Sequence, residues 1–61
     1  MRLAEFIQLV GDDAAAEMFG VKPRTIASWR LNERAPRREQ AARIVAATKG
    51  RVTYEGIYAL A

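Results

Sequence analysis

Residues 12–31, DDAAAEMFGVKPRTIASWRL, constrain the fold more than any other part of this sequence. Gly20 stands four residues after the small Ala16, where a left-handed turn would end a helix without steric cost. Beyond this turn, apolar residues recur at the spacing of the buried face of a second helix: Val21, Ile26 and Trp29. The stretch therefore predicts two short helices joined by a tight turn.

The outer face of the second predicted helix carries basic and small residues. Arg24, Ala27 and Ser28 lie opposite its apolar residues, and Lys22 directly precedes its first residue, Pro23. A bracing helix, a glycine-containing turn and a second helix with such a face form the helix-turn-helix pattern, whose second helix enters the major groove of DNA. We therefore expect base contacts from Lys22, Arg24, Ala27 and Ser28.

The side chains of this face differ in what they can read. The Arg24 guanidinium can donate two parallel hydrogen bonds to O6 and N7 of guanine, which makes Arg24 the best candidate for direct readout. Lys22 can bind guanine or phosphate, and the Ser28 hydroxyl can bind a base or a phosphate. Ala27 can contact a thymine methyl group or leave room for close approach.

Charge is distributed unevenly along the chain. Residues 1–21 hold one base and four acids, whereas residues 22–51 hold nine bases and two acids. Clustered basic side chains attract a polyanion and release its counterions. Four arginines lie around the loop after the second helix of the pair or near the start of the next helix, and we expect them to hold phosphates: Arg30, Arg34, Arg37 and Arg38.

The residue types that are missing argue against several other functions. The sequence has no cysteine and no histidine, so it lacks disulfides, thiolate metal sites and the commonest general base. We therefore expect no catalytic residue, no metal and no cofactor. No apolar stretch reaches the roughly 20 residues of a membrane helix, and the early acids do not fit a signal peptide. The expectation is a cytoplasmic protein that is not an enzyme.

Two helices are predicted before the turn at Gly20. The first has one apolar stripe, formed by Leu3, Phe6, Ile7 and Val10. Gly11 should end this helix. Either Asp12 or Asp13 can cap the next one, which should run from about Asp13 to Phe19.

Two more helices follow the turn. The third should begin at Pro23, with Lys22 as its N-cap residue, and end near Leu31, where Asn32 suits a left-handed end. Pro36 should open the fourth in its first turn; this helix should run to about Thr48, with Gly50 as C-cap.

The C-terminal segment RVTYEGIYALA fits two structures. As a helix it has Thr53 as cap, Val52 before the cap, and a stripe formed by Tyr54, Ile57 and Tyr58. As a β-hairpin it has Val-Thr-Tyr and Ile-Tyr-Ala flanking a two-residue loop at Glu55 and Gly56. We favour the helix because strands of about three residues make a marginal hairpin.

These elements predict an all-α fold, one small domain over residues 1–61 with about five short helices. A domain of this size buries only about 60% of the surface that its unfolded chain exposes, so its core is thin. We expect the following residues to be buried: Phe6, Ile7, Met18, Phe19, Ile26, Trp29, Ile44 and Val45.

Over about residues 3–50, the chain resembles the Cro family of small phage repressors. The resemblance is carried by the helix APRREQAARIVAAT and by five residues before it, Ala16, Gly20, Val21, Ile26 and Trp29. Pro23 departs from the polar residue often found at its position, which argues against a base contact there. The ending TKGRVTYEG is also similar to the YdaS-like group of bacterial and prophage regulators.

The Cro resemblance implies a lambda-repressor-like DNA-binding architecture and a homodimeric transcriptional repressor. Such a protein would bind a pseudo-palindromic operator in double-stranded DNA, at the nucleoid in the cytoplasm of a bacterial host. We expect the dimer contact to use Tyr54, Ile57, Tyr58 and Leu60. The YdaS-like resemblance keeps an alternative open, an antitoxin or regulator whose basic face meets an acidic protein partner.

Overall fold

The computed structural model of the chain describes residues 1–58, and every regular element in that range is a helix. The five helices are α1 (Leu3–Val10), α2 (Asp12–Phe19), α3 (Pro23–Arg30), α4 (Arg38–Ala47) and α5 (Tyr54–Tyr58). The prediction of an all-α fold with about five helices is confirmed, and the C-terminal segment is helical up to Tyr58. None of these helices has the length and apolar character needed to cross a lipid bilayer.

The core forms where α1, α2 and α3 pack against one another, with α4 and the segment before α5 closing it. Trp29 is only 4% exposed, and the rings of Phe6 and Phe19 lie 6.0 Å apart between centroids. The core residues are Leu3, Phe6, Ile7, Ala15, Ala16, Phe19, Ile26, Trp29, Ile44 and Val52. Six of the eight predicted core residues are therefore buried.

The other two predicted core residues lie at helix flanks. Met18 is 38% exposed because α2 turns Ala15, Ala16 and Phe19 inward, which leaves Met18 at the edge of that face. Val45 is only partly buried. The residues of α4 that face the core are Ala41 and Ile44, followed by Thr48 just past the helix end. Val45 lies at the edge of this buried stripe.

The N-terminus of α2 differs from the prediction that an aspartate caps it. The helix begins at Asp12 itself, and its N-cap residue is Gly11, with no side-chain cap hydrogen bond. A single residue joins α1 to α2, and its φ of 91° and ψ of 154° turn the chain directly from one helix into the other. Asp12 and Asp13 therefore occupy the first turn, where a carboxylate still favours the helix dipole.

The start of α4 was predicted two residues too early. The Gln40 side chain accepts a 2.8 Å hydrogen bond from the backbone N–H of Arg37, which holds Arg37 in an extended conformation as the N-cap residue. Pro36 therefore precedes the helix, is buried, and accepts a hydrogen bond from the Tyr58 hydroxyl at 2.8 Å. Arg38 becomes the first residue of α4.

α4 ends at Ala47, one residue before the predicted end near Thr48. Thr48 is the C-cap residue, and the predicted cap, Gly50, lies two positions beyond it. Lys49 and Gly50 both have left-handed backbones, with φ of 54° and 82°. Their N–H groups bond to the carbonyls of Ala46 and Val45, an arrangement that satisfies the last carbonyls of the helix.

A buried hydroxyl, that of Thr48, links the end of α4 to the segment that follows it. Thr48 donates to the carbonyl of Ile44 at 2.8 Å and accepts from the N–H of Val52 at 3.2 Å. Thr53 then caps α5 as predicted, accepting from the N–H of Gly56 at 3.1 Å. A Cβ at Gly56 would collide with the carbonyl of Met1, so glycine is what lets α5 lie against the N-terminus.

Candidate nucleic-acid interface

The turn between α2 and α3 has the conformation predicted for it. Gly20 ends α2 with φ 69° and ψ 34°, the left-handed region, and its N–H bonds to the carbonyl of Ala16. The N–H of Val21 bonds to the same carbonyl at 3.0 Å. A side chain at this φ would be strained, so the geometry of this turn depends on glycine.

The start of α3 also follows the prediction. Lys22 is the extended N-cap residue, with φ −78° and ψ 150°, and Pro23 is the first helical residue. Proline fits here because its fixed φ suits a helix and its missing N–H would have no partner in the first turn. The ammonium of Lys22 has no acceptor atom with which to cap a helix. The side chain is exposed and makes no cap hydrogen bond.

The four predicted base-contacting residues lie on the outer side of this region. Lys22 and Arg24 are exposed, whereas Ala27 and Ser28 are partly buried. The Ser28 hydroxyl donates to the carbonyl of Arg24 at 3.3 Å, one turn earlier in α3. In this conformation only its oxygen lone pairs remain for a ligand, which suits the amino group of adenine or cytosine.

Three of the four predicted phosphate-binding arginines are exposed and lie between the end of α3 and the start of α4. Arg34 is in the loop after α3, Arg37 is the N-cap residue of α4, and Arg38 is the first residue of that helix. The corrected start of α4 thus places two arginines at the positive end of a helix. Their positive charges interact unfavourably with the helix dipole at this end, but together with the dipole they attract an anion.

Arg30, the fourth, is engaged within the fold. Its Nε and Nη2 donate to the two carboxylate oxygens of Asp12 at 3.1 and 3.2 Å, a two-bond pair that joins the end of α3 to the start of α2. Both side chains are about one third exposed, at 31% and 34%. This pair uses two of the five guanidinium donors, and the phosphate contact of Arg30 remains a prediction.

Asp12→Asn is expected to lower the free energy of unfolding by no more than about 1 kcal/mol, because the pair with Arg30 is partly exposed and screened. Urea unfolding at low and high salt measures this loss, which should shrink as salt rises. Asp13→Asn is the matched control, since Asp13 lies in the same helical turn but forms no ion pair in the described structure. Equal losses in the two variants would show that the pair contributes nothing.

Residues 1–58 contain no group of three or more His, Cys, Asp and Glu side chains placed to hold a metal ion. The absence of enzymatic activity remains a prediction.

No family model, curated protein or solved structure matches this chain. The resemblances to Cro and to the YdaS-like regulators therefore rest on the quoted residues.

Proposed function

We propose that this protein is a sequence-specific DNA-binding transcriptional repressor that inserts α3 into the major groove as the second helix of a helix-turn-helix. The observation that carries the proposal is the two-sided character of α3 and its N-cap residue. Ile26 and Trp29 are buried, whereas Lys22 and Arg24 project from the first turn into solvent. A rigidly packed helix with free cationic donors at its N-terminal end is what groove recognition requires.

The electrostatics of the chain support a polyanionic ligand. Of the nine bases in residues 22–51, Arg30 alone forms an ion pair in the described structure. The other eight form no ion pair with an acidic side chain of residues 1–58. Unpaired, clustered cations gain the most from phosphate, because each contact releases a condensed counterion.

The start of α4 supplies a second set of contacts. We assign Arg34, Arg37 and Arg38 to the phosphate backbone, where they fix the position of the protein on the duplex. The backbone N–H groups of Arg38 and Glu39 have no partner inside α4, as in the first turn of any helix. Together with the guanidinium groups they form an anion-binding end, and Arg30 adds to it only through donors that Asp12 leaves free.

Arg38→Ala is expected to weaken binding to all duplexes by the same factor and to lower the salt slope by about one unit for each bound copy. The reason is that a phosphate contact carries no base information. The measurement is duplex titration by fluorescence anisotropy across a salt series, with an operator, its single-base variants and a random duplex. A loss confined to the operator would contradict this role and would indicate that Arg38 contacts a base.

The dimensions of the domain support binding as a dimer. The Cα extents are 23 × 23 × 21 Å, whereas successive major grooves on one face of DNA are about 34 Å apart. One copy therefore covers one half-site. Among the predicted dimer contacts, Tyr54 and Tyr58 are 50% and 45% exposed, although the Tyr58 hydroxyl donates to the carbonyl of Pro36, whereas Ile57 is partly buried against the core. Leu60 lies outside the described residues.

Titration of a short palindromic duplex with the purified protein alone tests the proposal. We expect the logarithm of the association constant to fall linearly with the logarithm of the salt concentration. Duplex binding that appears only after an acidic protein partner is added would favour the alternative of an antitoxin or partner-dependent regulator.

A further inference from the structure

Arg43 lies in the middle of α4, five residues after Arg38, and its guanidinium reaches the turn between α2 and α3. A Cβ built on Gly20 would be 3.1 Å from both Cζ and Nη2 of Arg43 and 3.4 Å from Nε. The planar group therefore packs against the bare face of Gly20. Gly20 thus has two roles: its left-handed φ makes the turn, and its lack of a side chain leaves space for the Arg43 guanidinium.

The guanidinium of Arg43 is held by packing alone. Within residues 1–58 it makes no hydrogen bond and no ion pair, in contrast to Arg30, whose donors meet Asp12. Arg43 is also exposed to solvent. Its five N–H donors are therefore oriented by contact with the turn and left without an acceptor, an arrangement suited to an oxyanion that takes two parallel hydrogen bonds.

The neighbours of this group indicate which oxyanion it would meet. Lys22, two residues after Gly20, is an exposed cation at the start of α3, and Arg24 follows in the first helical turn. None of these three side chains has an acidic partner in the described part of the chain. Positive charge therefore lies against Gly20 of this turn and at the start of the proposed recognition helix.

We propose that Arg43 is a phosphodiester-binding residue, which contacts the DNA backbone beside the α2–α3 turn while α3 occupies the groove. This inference rests on the proposed function. It adds a backbone contact next to the N-terminal end of α3, separate from the arginines at the start of α4. The α2–α3 turn would then be held between the DNA backbone and α4.

Arg43→Gln tests this inference because glutamine removes the charge but keeps the start of the aliphatic side chain and a polar amide near the position of Arg43 Nε. We expect equal weakening on specific and random duplexes and a fall of about 0.9 in the salt slope for each bound copy, with an unchanged thermal midpoint. Arg43→Lys should keep most of the slope, since it keeps the charge. Arg51→Gln is the matched control, because Arg51 is also exposed and forms no ion pair within residues 1–58, but it follows α4 and lines a surface pocket with Phe6 and Val10.

Three outcomes would overturn the inference, and they separate it from the proposed function. If the parent binds duplexes but Arg43→Gln keeps the parent's slope, Arg43 does not contact phosphate, and the repressor proposal stands. If Arg43→Gln and Arg51→Gln change the slope equally, the effect is one of net charge. If the parent shows no salt-dependent duplex binding, both proposals fail. A lowered thermal midpoint with an unchanged slope belongs to the first case and would indicate a purely structural residue.

Discussion

Replacing Trp29 with alanine is expected to lower the free energy of unfolding by about 3–5 kcal/mol. Trp29 is 4% exposed and belongs to the core cluster that joins α3 to α1 and α2. A loss of this size is most of what a small domain has, since native stability is only about 0.05–0.15 kcal/mol per residue. The variant should be largely unfolded near room temperature.

Circular dichroism is the appropriate probe, because the substitution removes the only tryptophan and with it the tryptophan fluorescence. Leu31→Ala is the matched control, since Leu31 lies two residues away but is 58% exposed. It should change stability by no more than about 0.5 kcal/mol. A Trp29→Ala variant that melts like the parent would contradict the packing of α3 against the core.

Replacing Arg24 with alanine is expected to cost about 1–3 kcal/mol of binding free energy on the best operator and to relax the preference at one base pair. Arg24 is exposed in the first turn of α3, on the side away from Ile26 and Trp29. Its guanidinium can make two parallel hydrogen bonds to guanine in a fixed planar geometry, whereas a lysine ammonium on a flexible chain makes this contact less specifically.

Arg24→Lys is therefore the informative companion variant. It should keep the salt slope of the parent and show a preference at that base pair that is weaker than the parent's but stronger than that of Arg24→Ala. Both variants can be compared on one operator, its single-base variants and a random duplex. If Arg24→Ala leaves the ranking of operator variants unchanged, α3 docks differently, and Lys22 or Ser28 becomes the better candidate for base readout.

Local rules of sequence predicted much of the fold. Glycine at the end of α2, proline at the start of α3 and threonine before α5 each have one favoured place in a helical chain, and each occupies it here. The burial of Trp29 followed from its three-residue spacing from Ile26. These features depend on residues a few positions apart, which is the range over which helix periodicity and capping act.

Features that the sequence did not predict depend on distant pairs or on competing caps. Asp12 and Arg30 are 18 residues apart, and no local rule links them. The packing of Arg43 on Gly20 likewise joins two helices that are separated in the chain. At the start of α4, Pro36 offered a plausible first helical residue. The cap bond between Gln40 and the backbone of Arg37 instead delayed the helix to Arg38.

Selection of bound sequences from a random duplex pool, followed by footprinting of the enriched duplex, tests the central claim most directly. We expect a pseudo-palindrome whose two half-sites lie about 34 Å apart, or one helical turn, both protected at saturating protein. Mutation of the first-turn residue Arg24 should shift the enriched sequence at one position in each half-site. A pool that remains random after repeated rounds would contradict the assignment of this protein as a sequence-specific repressor.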